Sequence, residues 1–427
     1  MRFIIIIILG VLVSFYLFPV GLNALAESWN TKMLLAILGV GAFFLDYTPI
    51  VRLKVNGIVL GSILISILFS VVCFYAADYN YTSDYSYATY FSSFFVWVFG
   101  AYFVGWAMRY FYGRITLRTL SYYLLGVCAV QCALALLIDY IPPFKSFVDS
   151  YISQGQFFLN SVNRLYGIGA SLDSAGVRFS VVLLITSAVM NLDQVVRSSS
   201  IKYGLLLAGF LFIAVVGNMI SRTTTIGLLF SLLFFMYGSG AFRIIMHLHA
   251  IKRAAILVCG LALIGAASYY LYRHNPKFYA NMRFGFEGFF SWAETGVWRT
   301  HSTDVLNYSM WVWPEDLKTW IIGTGLFGHF VYGTDIGYCR FIMYCGLIGF
   351  VTFSLLFVYN AIGFMLWVPR YWLLFLLLGA LTFIIWIKVS TDIFFIYALL
   401  YIVDSFSDET QQAAYDKDNK ISRAIIK

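Results

Sequence analysis

The chain has 427 residues, of which 61% are hydrophobic and 11% are charged, and its net charge is +8. A soluble domain of this length carries roughly a quarter of its residues as charged side chains, so this composition excludes a soluble globular protein. The basic residues are scattered singly between apolar segments, which excludes a basic stripe for binding nucleic acid.

Apolar runs recur along the whole chain. Each run of about 20 residues is long enough to cross roughly 30 Å of hydrocarbon. Because the backbone inside lipid must satisfy its own polar groups, continuous apolar runs predict helices. In chain order, the predicted spans are residues 3–21, 33–49, 55–77, 88–111, 119–141, 176–190, 201–220, 223–237, 253–272, 336–367, 371–387 and 391–406. The sequence predicts an all-α integral membrane protein with about 12 transmembrane helices.

The basic residues between the spans predict the orientation of the chain. Loops that carry Arg109, Arg118 and Arg370 fall on one side, which the positive-inside rule assigns to the cytoplasm. Both termini are then cytoplasmic. We expect one transmembrane domain over residues 1–406, followed by a polar, disordered cytoplasmic tail over residues 407–427.

Two long loops lie on the outer side in this topology. They cover about residues 142–175 and 273–335. Long ordered loops are uncommon and usually functional, so we expect the site on this side.

Four arginines do not fit the inside pattern, because they lie at or near the outer ends of spans: Arg164, Arg178, Arg222 and Arg340. A guanidinium near lipid is costly and is normally paired or functional. One interpretation is ion pairing, with Asp173 as the acid beside Arg178 and Asp335 as the acid near Arg340. The other is an anionic ligand, because arginine binds phosphate oxygens bidentately.

The second long loop is rich in tryptophan, at positions 292, 298, 311, 313 and 320. These side chains could form an apolar belt at the membrane interface. They could also form a platform for sugar rings, with Glu287, Glu294, Asp304 or Asp316 binding the hydroxyl groups. His301 lies in the same loop, where a general base would be needed, although a plain surface role is also open.

Residues 323–328 match the pattern GxGxxG. A dinucleotide site is rejected because no strand–helix–strand context surrounds the match. We expect a flexible loop leading to the next span.

Three stretches resemble motifs of the O-antigen polymerase and ligase families. Ser221-Arg222-Thr223 opens a span, as in their SRT-like motif. Residues 163–167 (NRLYG) and 172–176 (LDSAG) resemble their outer loop before a helix. The third stretch joins the glycines at 323 and 325 to residues 334–338 (TDIGY) and 345–349 (CGLIG), which is similar to the polymerase pattern. The helical layout is similar over most of the chain, and the motifs themselves cover only short stretches.

The resemblance implies a metal-independent glycosyltransferase of the bacterial inner membrane, with a GT-C-like helical fold and two long periplasmic loops. Such enzymes polymerise polyprenyl-diphosphate-linked oligosaccharide repeat units into O-antigen, capsule or exopolysaccharide at the outer face. The implied partners are lipid-linked glycans and the bilayer, with a chain-length regulator and a flippase as further candidates; no cofactor, metal or nucleic acid is expected. Ligases usually carry histidine where this chain has Asp335, which favours a polymerase.

The arginines and the resemblance together lead to a hypothesis for the site. Arg222 and Arg340 would stabilise the leaving diphosphate, and Asp335 would act as base or orient the acceptor, with His301 in reserve. Substrate binding is assigned to Arg164, Arg178, Asp173 and Tyr338.

Other functions stay open from the sequence. An O-antigen ligase-type transferase shares most of the motifs. A polysaccharide flippase or ion-coupled transporter would tend to show internal repeats, broken midplane helices or acids deep in spans. A membrane scaffold would leave the outer arginines unexplained.

Overall fold

The computed structural model describes residues 2–23, 29–46, 57–155, 158–159, 164–239, 248–328 and 330–406. This part of the chain is mostly helical, which confirms the predicted all-α class. Six of its helices are long and apolar enough to cross a membrane: Gly57–Tyr79, Tyr90–Tyr112, Leu117–Tyr140, Leu172–Leu192, Ser200–Ile220 and Gly337–Trp367. Asn163 of the second motif and the predicted tail, 407–427, lie outside the described residues.

The helices follow the apolar runs in chain order. They are α1 (Arg2–Leu17), α2 (Thr31–Asp46), α3 (Gly57–Tyr79), α4 (Tyr90–Tyr112), α5 (Leu117–Tyr140), α6 (Pro142–Tyr151), α7 (Leu172–Leu192), α8 (Gln194–Ser198), α9 (Ser200–Ile220), α10 (Thr224–Ser239), α11 (Leu248–His274), α12 (Pro276–Gly285), α13 (Glu287–Thr295), α14 (His301–Ser309), α15 (Leu317–Ile321), α16 (Gly337–Trp367), α17 (Trp372–Ile385) and α18 (Phe394–Tyr401). Each predicted span overlaps one of these helices, while the predicted count of spans and the GT-C arrangement stay predictions.

Both long loops contain ordered segments. The first includes α6, and the second includes α12 to α15. A small antiparallel pair of strands, β1 (Gly21–Leu22) and β2 (Ile152–Ser153), ties the first loop to the end of α1. This pair is a minor departure from a purely helical prediction.

One end of the helical bundle is held by ion pairs between helices. The guanidinium of Arg109 binds Asp404 at 2.8 Å, and Arg118 binds Asp193 at 3.1 Å. Asp193 also caps α8 by accepting a hydrogen bond from the backbone N–H of Val196. The basic residues that set the predicted orientation therefore also join separate helices.

The helical path is interrupted between α17 and α18, over residues 386–393, which we call the break. Trp386 is fully buried, stacks on Phe353 at 5.3 Å, and donates its indole N–H to the carbonyl of Thr391 at 2.7 Å. Asp392 then accepts a hydrogen bond from the N–H of Phe394, where α18 begins. With 8 residues, α18 is about 12 Å long. The helix alone is therefore shorter than the hydrocarbon core is thick, and the predicted span 391–406 stays a prediction.

α16 is kinked near its start. Gly346 has φ +63° and Cys345 is also non-helical, which interrupts the hydrogen-bond ladder. The backbone N–H groups of Thr324 and Gly325 donate to the freed carbonyls of Met343 and Tyr344, at 2.7 and 2.9 Å. The GxGxxG segment is a loop that leads to α16, as predicted, and these hydrogen bonds tie it to the kink.

The tyrosine-rich loop between α3 and α4 supports the same segment. One carboxylate oxygen of Asp84 accepts hydrogen bonds from the N–H groups of Phe327 and Gly328, both at 2.6 Å. Thr82 donates its hydroxyl to the carbonyl of Gly325 at 2.7 Å. Partial burial acts to raise the pKa of Asp84, but these and the Ser86 hydrogen bonds lower it overall.

Candidate functional site

The candidate site lies at the opposite end of the bundle from the Arg109–Asp404 pair. Here α7 begins, α9 turns into α10, α16 begins, and the break between α17 and α18 passes between them. Two sequence motifs meet at this point, because a Cβ on Gly176 would come within 2.5 Å of Ser221 and 2.8 Å of Thr223. The close packing requires glycine and holds the start of α7 against the α9–α10 turn.

Arg164 and Arg222 form a pair on one aromatic ring. Their guanidinium carbons lie 4.1 and 4.2 Å from the centroid of the Phe284 ring, so they are separated by no more than the sum of these distances. Arg222 also donates to the carbonyl of Phe284 at 3.0 Å and to the hydroxyl of Ser302 at 2.9 Å. We call Arg164 and Arg222 the arginine pair.

The arginine pair is only partly neutralised. Arg222 forms a salt bridge with Glu287 at 2.6 Å. Arg164 has no salt bridge to any residue that the structure describes. Burial lowers the pKa of both guanidinium groups, and Glu287 and Asp173 oppose that shift; the charge of Arg164 also lowers the pKa of Arg222. An anion between the two side chains would relieve this repulsion.

Glu287 separates His301 from the arginine pair. Its second carboxylate oxygen accepts a hydrogen bond from the backbone N–H of His301 at 2.9 Å. The side chain of His301 is exposed and lines a cavity of about 350 Å³ together with Ser291, Arg299 and Asp304. His301 is thus close to the pair but on the far side of a carboxylate.

Asp173 receives three donors from two different segments, the α9–α10 turn and the break after α17. Its carboxylate accepts hydrogen bonds from Thr223 at 2.6 Å and from Ser221 at 3.1 Å, and it forms a salt bridge with Lys388 at 2.6 Å. The predicted pairing of Asp173 with Arg178 is therefore wrong. Lys388 takes that place because the break after α17 carries it across to the start of α7.

Breaking the Asp173–Lys388 pair should destabilise the protein. We expect Lys388→Met to cost about 1–2 kcal/mol in the free energy of unfolding, because Asp173 keeps its charge and loses its cation. The double variant Asp173→Asn with Lys388→Met should be less destabilised, since no unpaired charge remains. Denaturant unfolding in nanodiscs measures both values.

The matched control is the pair Lys277–Asp139, in which Lys277 is more exposed and the ammonium lies 3.8 Å from the carboxylate. Lys277→Met should cost less than about 0.5 kcal/mol. Equal losses for Lys277→Met and Lys388→Met would contradict the structural importance of the Asp173–Lys388 pair.

Asp335 and Arg340 form the second part of the site. Arg340 donates to Ser390 in the break at 3.0 Å and to the carbonyl of Phe327 at 2.6 Å, with its guanidinium 3.9 Å from the Phe327 ring centroid. The side chain of Asp335 is exposed and interacts electrostatically with Arg340, Asp173 and Lys388. Partial desolvation raises the pKa of Asp335, and Arg340 opposes that shift.

Arg178 lies apart from the arginine pair. It is six residues into α7 and therefore about 9 Å along the helix from Leu172. Its guanidinium donates to the carbonyl of Ser174 at 2.6 Å and interacts electrostatically with Asp392. Lys32, which lies 4.2 Å from the Trp97 ring centroid, interacts with the same carboxylate. Arg178 belongs to this deeper group rather than to the predicted diphosphate clamp.

Tyr338 is a packing residue in this structure. Its hydroxyl donates to the carbonyl of Phe383 at 2.9 Å, and its ring contacts Phe350 and Trp386. The predicted role in substrate binding gains no support from this position.

Sequence reasoning missed the residues of the break. Lys388, Ser390 and Asp392 alternate along the chain and contact or interact with Asp173, Arg340 and Arg178, respectively. Three polar side chains at alternate positions between two apolar runs are a signal visible in the sequence. Such a stretch is more simply interpreted as a short connecting loop. That interpretation does not predict which residues these side chains contact.

The arrangement is suited to holding an anion at the arginine pair. Among the described residues, no group of three histidine, cysteine or acidic side chains could hold a metal ion. No protein-family model, curated protein or solved structure matches this chain.

Proposed function

We propose that this protein is a membrane glycosyltransferase that polymerises polyprenyl-diphosphate-linked oligosaccharide repeat units at the outer face of a bacterial inner membrane. The observation that carries the proposal is the arginine pair on Phe284, with one member free of any described salt bridge. Two guanidinium groups on one ring can each bind one of the two phosphates of a lipid diphosphate. A GT-C-like fold is part of the same proposal.

The proposed reaction transfers the growing glycan. An acceptor hydroxyl attacks the anomeric carbon of the donor, a new C–O bond forms, and the bond from that carbon to the diphosphate oxygen breaks. Negative charge grows on the departing diphosphate. Cations that bind this charge more strongly in the transition state than in the ground state accelerate the reaction. Arg164 and Arg222 would bind the charge on the departing diphosphate. Arg340 and Lys388 would supply further positive charge from the other segments of the site.

Asp335 is the proposed base. Its exposed carboxylate interacts electrostatically with both Lys388 and Arg340, which connects it to each part of the site. The raised pKa makes it a stronger base than an ordinary aspartate. It would take the proton from the acceptor hydroxyl as the new bond forms.

The proposal predicts a particular pH dependence. Because the base must be ionised, activity should fall as the pH drops through the pKa of Asp335, which lies above the usual aspartate range. Asp335→Asn should remove most activity, and Asp335→His should move the acid limb of kcat/KM towards the histidine range.

Asp78 provides the control for this pH dependence, because it is an exposed acid at the end of α3. Asp78→Asn should leave the acid limb unchanged. An acid limb that keeps its position in Asp335→His would show that another group is the base.

The function itself can be tested with the purified chain in liposomes. Lipid-linked repeat units should be converted into longer glycans, with release of one polyprenyl diphosphate for each new linkage. Fluorescent gels and phosphate-labelled lipid would measure the two products together. Release of lipid diphosphate without longer glycans would argue against a polymerase.

A transporter is the second candidate, because the structure contains features that the sequence did not indicate. The chain breaks after α17, α16 is kinked at Gly346, and Asp392 lies at the break beside Arg178. Broken helices with charged residues at the break are typical of secondary transporters. Movement of lipid-linked sugar across the liposome membrane without chain growth would favour this candidate.

A further inference from the structure

A long groove separates α1 from α5. It has a volume of about 710 Å³ and an almost wholly apolar lining. On α5 its lining extends from Thr119 to Leu134, which at 1.5 Å per residue is about 22 Å. The groove therefore follows most of the thickness of a bilayer's hydrocarbon core.

The groove is open to the outside of the bundle. Ile6 and Val11 on α1 and Val130 on α5 line it and are exposed. Two of the lining residues, Gly10 and Gly126, have no side chain to fill the groove, and a Cβ on either would have no atom within 4 Å. A hydrocarbon chain can enter this space from the surrounding lipid without any movement of the described protein.

One end of the groove lies next to the candidate site. Gln131 donates to Ser14 at 3.2 Å and accepts from the backbone N–H of Ile168 at 2.9 Å, and all three residues line the groove. Arg164 lies four residues before Ile168. An extended chain of that length reaches about 14 Å at most, so an anionic head group at the arginine pair can remain attached to a tail in the groove.

We propose that this groove holds the isoprenoid tail of the lipid whose diphosphate binds the arginine pair. The inference rests on the proposed function, which supplies the lipid diphosphate. A single crevice between two helices fits one chain rather than the two chains of a phospholipid. Arg118, beside Thr119 at the other end of the groove, is already paired with Asp193, whereas Arg164 has no salt bridge among the described residues. The head therefore lies at Arg164 and the tail points towards Tyr122.

The test compares lipids with different tails. The full chain in nanodiscs is titrated with a long-chain polyprenyl diphosphate and with geranyl diphosphate, which has the same head group and a short tail. Gly126→Leu and Val130→Trp should weaken binding of the long-chain lipid by about tenfold or more, because excluding even two buried methylene-sized groups has this effect. Binding of geranyl diphosphate should be unchanged, which also shows that each variant is folded.

Gly265→Leu is the matched control, because Gly265 lies in the exposed apolar helix α11 and also has no atom within 4 Å of its Cβ position. It should change neither affinity. If the wild type binds both lipids and the groove variants weaken both equally or neither, the tail lies elsewhere and only this inference fails. If the wild type binds neither lipid, the proposed function fails as well. A cysteine introduced by Gly126→Cys can be labelled in nanodiscs with and without the polyprenyl diphosphate. If phospholipid alone protects this cysteine from labelling as well as the polyprenyl diphosphate does, the inference is also overturned.

Discussion

Arg222→Ala should reduce the rate of glycan polymerisation by about 10²–10³, with little change in the amount of folded protein. Arg222 is held by Phe284, Ser302 and Glu287, so its guanidinium is already positioned before a lipid binds. A preorganised cation lowers the barrier because it needs no rearrangement while charge develops on the leaving group. The measurement is kcat for release of polyprenyl diphosphate in liposomes.

Comparison with other variants makes this prediction specific. Arg222→Lys should recover little activity, because a single ammonium cannot make the bidentate contact. Arg273→Ala is the control, because Arg273 is exposed at the end of α11 and donates to Tyr269 in the same helix.

If Arg164 and Arg222 hold one diphosphate, the double alanine variant should lose less activity than the product of the two single losses. A full rate in Arg222→Ala would remove the basis of the proposed function.

Gly346→Ala should destabilise the protein more than the same substitution at Gly113 or Gly265. Gly346 has φ +63°, which costs an ordinary residue about 1–2 kcal/mol. A Cβ there would also overlap the carbonyl of Ile321, and such overpacking costs about 1–3 kcal/mol more. The same kink directs the carbonyls of Met343 and Tyr344 to the backbone N–H groups of residues 324 and 325. Distorting the kink should therefore also disorder this loop, which leads to Asp335 and Arg340.

Gly113 and Gly265 separate the backbone cost from the packing cost. Gly113 has φ +76° but no atom within 4 Å of its Cβ position, so Gly113→Ala should show the backbone cost alone. Gly265→Ala meets neither problem and should be neutral or slightly stabilising in a helix. Thermal unfolding in nanodiscs should therefore rank Gly346→Ala, Gly113→Ala and Gly265→Ala in order of decreasing loss. A Gly346→Ala variant as stable as Gly113→Ala would contradict the tight packing of the kink.

The sequence by itself determined the helical class and the approximate position of the helices in the apolar runs, because these depend on local composition. It also singled out the arginines at the ends of spans, since their cost in lipid is a property of each residue alone. The depth of Arg178 could have been predicted too, because it follows from counting residues along α7.

Only the tertiary structure decided which charges meet. Asp173 and Lys388 are 215 residues apart, and several cations were equally available to that carboxylate from sequence alone. The choice depends on how α7 and the break after α17 pack, and the break depends in turn on the burial of Trp386 among aromatic side chains of α16. Arg164 and Arg222 share Phe284 for the same reason, because contacts between distant segments are set by helix packing and not by local pattern.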